Sequence, residues 1–139
     1  MKYLELKKKQ EVEHNTFTKT CMFFAFNDQQ MTDGIAKFPK GTKFYSIGAG
    51  AYIIQSKSKE YMELINKFEA ELKQAKKNFK LLVEAIRYEL ANHEYCITYD
   101  LTDTLESLSI DVDDIDDMTA EAIKVAKRKY LKESKKANA

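Results

Sequence analysis

The chain has 139 residues, a net charge of +1, 44% hydrophobic residues, two cysteines, four glycines and one proline. That length can bury a core without disulfide or metal staples, and so few glycines and prolines argue against a turn-rich β-sandwich and for helices joined by short turns. No apolar run reaches the ~18–20 residues a membrane span needs, and residues 1–10 carry no signal-peptide pattern; the expectation is a soluble, reduced, cytoplasmic protein with no membrane partner.

Residues 1–14 are strongly charged and fit a short helix or an edge strand. The run from Thr18 to Phe26 is β-branched and aromatic, the pattern of a strand buried on both faces. Asn27, with Gln30 three residues on, predicts a capped helix from Asp28 to about Lys37. That helix has Met31, Ile35 and Phe38 on one face; Gly34 weakens it and Pro39-Lys40-Gly41 ends it.

Residues 42–55 predict two strands, Thr42–Ile47 and Gly50–Gln55, joined by a tight Gly48-Ala49-Gly50 turn. Ser56 or Ser58 then opens the longest element, a helix from Ser58 to Ala91. Its seam is Tyr61, Ile65, Phe68, Leu72, Ala75, Phe79, Leu82 and Ile86, spaced four and three residues apart with no Gly or Pro between. Tyr95–Tyr99 predicts a fourth strand. Asp103 with Glu106 predicts a capping box for a short helix to Leu108.

Met118–Glu133 predicts an amphipathic helix with Ala122, Ile123, Ala126, Tyr130 and Leu131 inward, followed by disordered residues 134–139. The fold class that follows is α+β over residues 1–139. It is a small antiparallel or mixed sheet of about four strands packed on one long helix and shorter C-terminal helices, with 1–15 and 134–139 as flexible ends.

The net charge conceals a segregation. Residues 1–87 hold 16 Lys/Arg and 10 Asp/Glu, residues 88–123 hold 11 Asp/Glu and no Lys or Arg, and residues 124–139 hold seven Lys/Arg and one Glu. The densest carboxylates are Asp111, Asp113, Asp114, Asp116 and Asp117. They lack the Gly and Glu that a calcium loop places at its sixth and twelfth positions. Two readings stay open: the block pairs with basic helices of its own chain, or it is an acidic face for a basic protein surface.

Asn92-His93-Glu94 closes the long helix and is the candidate chemical site. His93 and Glu94 form a pair able to move protons, with Asn92 or Tyr95 beside them. The alternative is a helix cap, with Asn92 left-handed and the imidazole bonded to the last carbonyls. His14, Cys21, His93 and Cys96 are a Cys2His2 complement by type, but their spacing is wrong for zinc. A Cys21–Cys96 disulfide needs neighbouring strands and is rare in the cytosol.

Gly48-Ala49-Gly50 leads into a strand rather than a helix, so it is a hairpin turn and no phosphate loop. No metal and no cofactor are expected. On the last helix Lys127, Arg128, Lys129 and Lys132 are weak candidates for nucleic-acid contact, with Tyr130 the only aromatic among them.

Three blocks, Phe23-Phe24-Ala25-Phe26-Asn27 with Gln30, Phe44 to Ile53, and Glu89 to Tyr95, resemble a group of short uncharacterised proteins of bacteriophages and bacterial mobile elements. The likeness spans about Cys21 to Leu108. It implies a bacterial cytoplasm and an accessory role, and brings no catalytic residue. The functional expectation is a non-enzymatic accessory protein that binds a host or phage macromolecule, with a protein as first partner, nucleic acid as an alternative and a homodimer allowed by the long seam. Inhibition of a host defence system is its concrete version. A small enzyme or ligand-binding domain at Asn92-His93-Glu94 is the competing expectation.

Overall fold

The computed structural model describes residues 2–95 and 99–137. Six helices and three strands are seen among them: α1 (Tyr3–Thr18), β1 (Met22–Phe24), α2 (Asp28–Ala36), β2 (Phe44–Gly48), β3 (Ala51–Ile54), α3 (Ser58–Ala75), α4 (Phe79–Asn92), α5 (Thr102–Ser107) and α6 (Asp117–Ala137). The α+β class holds. The chain divides into two compact units, one of residues 8–69 and the other of residues 1–7 with 70–139.

In the unit of residues 8–69 the sheet is antiparallel in the order β1-β3-β2. It has three strands rather than four. The expected fourth, at Tyr95–Tyr99, falls largely on Cys96, Ile97 and Thr98, outside the described residues, and neither flanking tyrosine is in a strand. β1 is also shorter than its aromatic run, because only Phe23 of its three residues is buried and Phe24 and Phe26 stay exposed. Apolar content alone overstated its burial.

The turn Gly48-Ala49-Gly50 has positive φ at all three residues (91°, 52° and 78°), which twists the hairpin in the direction its strands require. Phe23 stacks on Tyr52 at 5.4 Å between centroids and meets Phe44 edge-on at 5.2 Å. Gly34 of α2 is buried against that cluster, and a Cβ there would fall on the Phe23 ring. The glycine that weakens α2 by propensity is what lets the helix approach β1. Asn27 caps α2 by accepting from the Gln30 N–H at 2.8 Å, and the Gln30 side chain accepts from the Phe26 N–H at 2.7 Å. In the same unit α1 and α3 are joined by Lys67–Glu13 at 2.6 Å and His14–Tyr61 at 3.0 Å.

The other unit holds a hydrophobic core built from Leu82, Ala85, Ile86 and Leu90 of α4, Ala122, Ala126 and Tyr130 of α6, with Tyr3, Tyr95 and Leu108. The long helix expected from Ser58 to Ala91 is two helices. Asn78 takes an extended backbone (φ −86°, ψ 116°) and its side chain accepts from the Leu81 N–H at 3.1 Å, the geometry of an N-cap. The four–three spacing of the sequence runs through this break, where the seam residue Phe79 is 40% exposed. Burial is concentrated in α4, whereas α3 has no buried residue.

Other ends differ in detail. Ser58 donates its hydroxyl to the Gln55 carbonyl at 2.9 Å, closing a single 3-10 turn before α3. The N-cap of α5 is Leu101, two residues before the expected Asp103, and Asp100 accepts from the Thr102 N–H at 2.8 Å. That bond holds the exposed Asp100 carboxyl below the usual carboxylate range. α6 continues past Glu133 to Ala137.

Candidate binding groove

The acidic run forms the loop between α5 and α6. Asp111 accepts from the Asp113 N–H at 2.9 Å, a local turn. Asp116 accepts from the Thr119 N–H at 2.7 Å and caps α6. Hydrogen bonds from the Thr119 side chain and then its backbone hold the Asp116 carboxyl below its ordinary value. The loop therefore spends two carboxylates on its own backbone. Asp113 and Asp114 remain exposed, as does Asp117 at the start of α6. Two aliphatic side chains stand out among them, Val112 at 51% and Ile115 at 37% exposure.

Opposite the loop lies the α3–α4 break. Lys73, Lys76 and Lys77 line one side of an open groove of about 620 Å³, and Asp111, Asp114 and Asp116 line the other, with Ile110 and Met118 between. Lys76 anchors the loop's approach by donating to the carbonyls of Leu108 at 2.8 Å and Ser109 at 3.1 Å. Among the described residues no ion pair joins Lys73 or Lys77 to the loop carboxylates. The charge of the block thus faces basic residues of its own chain across the groove.

Asn92-His93-Glu94 is organised differently from the expectation. Asn92 is the last residue of α4, and the left-handed position belongs to Glu94 (φ 52°), which is exposed. Among the described residues the His93 imidazole caps no carbonyl. Its Nε2 lies 3.3 Å from Glu89 Oε2, off the direction of a hydrogen bond. Glu89 is the centre of this cluster and is 1% exposed. Oε1 accepts from the Tyr3 hydroxyl at 2.7 Å and from Lys7 Nζ at 2.9 Å, and Oε2 from Asn92 at 3.3 Å.

Burial alone would push the Glu89 carboxyl up, but the bonds from Tyr3 and Lys7, the Lys7 charge and Asn92 together hold it below its ordinary value. Burial and the bond to Glu89 push the Tyr3 hydroxyl strongly up. The cluster is a satisfied buried carboxylate that ties the start of α1 to α4. Sequence reasoning passed over Glu89, although it falls three residues after Ile86 and four before His93, on the inward seam.

His14 and Cys21 have partners in their own unit. Cys21 is a free buried thiol whose Sγ donates to the Phe17 carbonyl at 3.2 Å, and burial pushes its pKa up. Cys96 lies outside the described residues. No group of three metal-ligating side chains occurs among the described residues. On α6, Lys127 is half-buried with Nζ 5.6 Å from the Tyr95 ring centre, while Arg128, Lys129 and Lys132 are exposed.

A family model described as a family of unknown function (DUF7659) matches residues 2–133. The chain belongs to this family. No curated protein and no solved structure matches it. The DUF7659 match takes in the groove, the Glu89 cluster and the sheet alike. No described helix is long and apolar enough to cross a membrane.

Proposed function

We propose that the protein is a non-enzymatic accessory protein that works by binding another protein in the groove between the acidic loop and the Lys73–Lys77 wall. The observation that carries this is the loop itself. It presents Asp113, Asp114 and Asp117 beside exposed Val112 and Ile115, across from Lys73 and Lys77, with which it closes no ion pair among the described residues. A phosphate polymer would be repelled by one wall of such a groove. A protein segment carrying both charges and an apolar side chain suits both walls, the apolar contact supplying affinity and the charges setting orientation.

The phage or mobile-element setting, with inhibition of a host defence system as its concrete version, rests on the likeness of the three sequence blocks. The test is affinity capture from bacterial lysate with the wild-type chain and with Asp113→Asn/Asp114→Asn/Asp117→Asn, which spares the Asp116 cap. The expected result is a partner held by the wild type and weakened about tenfold or more in the triple variant, as for several interfacial charges lost together. Equal recovery from both baits would contradict the assignment to this loop.

A further inference from the structure

The sheet of residues 8–69 has an open edge at β2. β3 is its central strand, with β1 on one side and β2 on the other. The Gln55 N–H donates to the Lys43 carbonyl at 2.8 Å, on the β2 side, and the Ile54 N–H donates to the Cys21 carbonyl at 2.9 Å, on the β1 side. Bonding direction alternates in this way along an antiparallel strand. Lys43 and Tyr45, which stand opposite Gln55 and Ile53, therefore turn their peptide groups inward to β3. Phe44 and Ser46 turn theirs outward. Among the described residues nothing bonds those outward groups.

The side chains along this edge are as open as its backbone. Residues 45–48 are all exposed, Tyr45 at 47% and Ile47 at 39%. Lys43 and Tyr45 alternate onto one face of the strand, and the Gln55 side chain fixes the Tyr45 ring by donating to its hydroxyl at 2.6 Å. A bulge between Ser46 and Gly48 limits the regular ladder to the stretch before Ile47. Lys43 is exposed and forms no ion pair among the described residues. Residues 34–59, which hold all of β2 and β3, contain five lysines and no Asp or Glu.

We propose that β2 takes a fourth strand from a partner protein. That strand is an extended segment lying antiparallel to β2, with an apolar side chain against Tyr45 and a carboxylate two residues later against Lys43. Main-chain bonds to Phe44 and Ser46 supply affinity in such an addition, and the alternate side chains supply specificity. Opposite charges across a strand pair stabilise it and like charges weaken it. A second copy of the chain is the poorer occupant, because its β2 brings another Lys43 and no carboxylate from residues 34–59. The edge is separate from the acidic groove and stands or falls separately from it.

The test begins with panning linear peptides of about ten residues, the upper length of an ordinary strand, displayed on phage against the full chain. The enriched peptide is then titrated by fluorescence anisotropy and followed by amide hydrogen exchange. The expected peptides share the order apolar, any residue, acidic. The Phe44 and Ser46 amides exchange fast in the free chain and become protected by the peptide, whereas the Tyr45 amide is protected in both states. Ser46→Pro loses an N–H that faces away from β3, a position where an edge strand tolerates proline, and weakens binding about tenfold or more. Ser46→Ala binds as the wild type does, and Lys43→Glu weakens binding about tenfold. Circular dichroism checks that Ser46→Pro folds; if it does not, the exchange pattern and Lys43→Glu decide. Panning that enriches no such order overturns the proposal. So does binding that leaves the Phe44 and Ser46 amides unprotected or ignores Lys43→Glu, or protection of those amides that rises with protein concentration in the absence of peptide, which assigns the edge to a second copy.

Discussion

At the scale of single residues, Glu89 shows how asymmetric a buried ion pair is. Its carboxylate is 1% exposed whereas the Lys7 side chain is 42% exposed. Removing the lysine leaves a buried charge with neutral donors only; removing the carboxylate frees an ammonium that can reach water. Lys7→Met is expected to cost about 3 kcal/mol, and Glu89→Gln, which keeps an acceptor for Tyr3, about 1–2 kcal/mol. Urea titrations at neutral pH check the order.

The pH dependence follows from the direction of the Glu89 shift. Its folded carboxyl titrates below the ordinary 4.5, so its contribution is whole above that value and is lost as pH falls through the lower, folded one. Asp100 and Asp116 are shifted the same way, so the difference between variants isolates Glu89. Below pH 4.5 the wild type is expected to lose stability more steeply than Glu89→Gln, and parallel profiles would refute the assignment.

At the scale of elements, Asn78 and Gly34 each act against the local pattern. Asn78→Ala removes the cap of α4 and is expected to cost about 1 kcal/mol in thermal or urea unfolding. Gly34→Ala gains helix propensity of about 1 kcal/mol yet forces the buried Phe23 ring out of its cluster. A net loss of about 1–2 kcal/mol is expected, and a more stable Gly34→Ala would show that the ring can yield.

These two residues also mark where the sequence was legible. Periodicity found the inner face of α6 and the helical stretch of α3 and α4, capping residues marked α2 and α5, and the glycine turn marked the hairpin. Periodicity joined α3 to α4, since the apolar spacing runs on through the three-residue break and only the capping chemistry of Asn78 betrays it. The loop carboxylates were readable from composition. The lysine wall facing them was not, because Lys73, Lys76 and Lys77 read as an ordinary solvated helix face until the break turned them into the side of a groove.

At the scale of the whole molecule, charge is divided along the chain between 11 carboxylates without a cation in residues 88–123 and basic stretches before and after. Among the described residues Lys7–Glu89 and Arg87–Glu133 are links across the fold in residues 1–7 and 70–139, while Lys73 and Lys77 line the groove with the loop carboxylates and close no ion pair with them. An arrangement that leaves opposite charges apart, with exposed Val112 and Ile115 between carboxylates, is one a partner can complete. The central claim is that function sits in this loop and not at His93. The direct measurement is a calorimetric titration of the captured partner against the wild type, Val112→Ser/Ile115→Ser and His93→Ala. The account predicts a loss of about tenfold or more for the loop variant and unchanged affinity for His93→Ala. Full affinity in the loop variant with binding abolished by His93→Ala would contradict it.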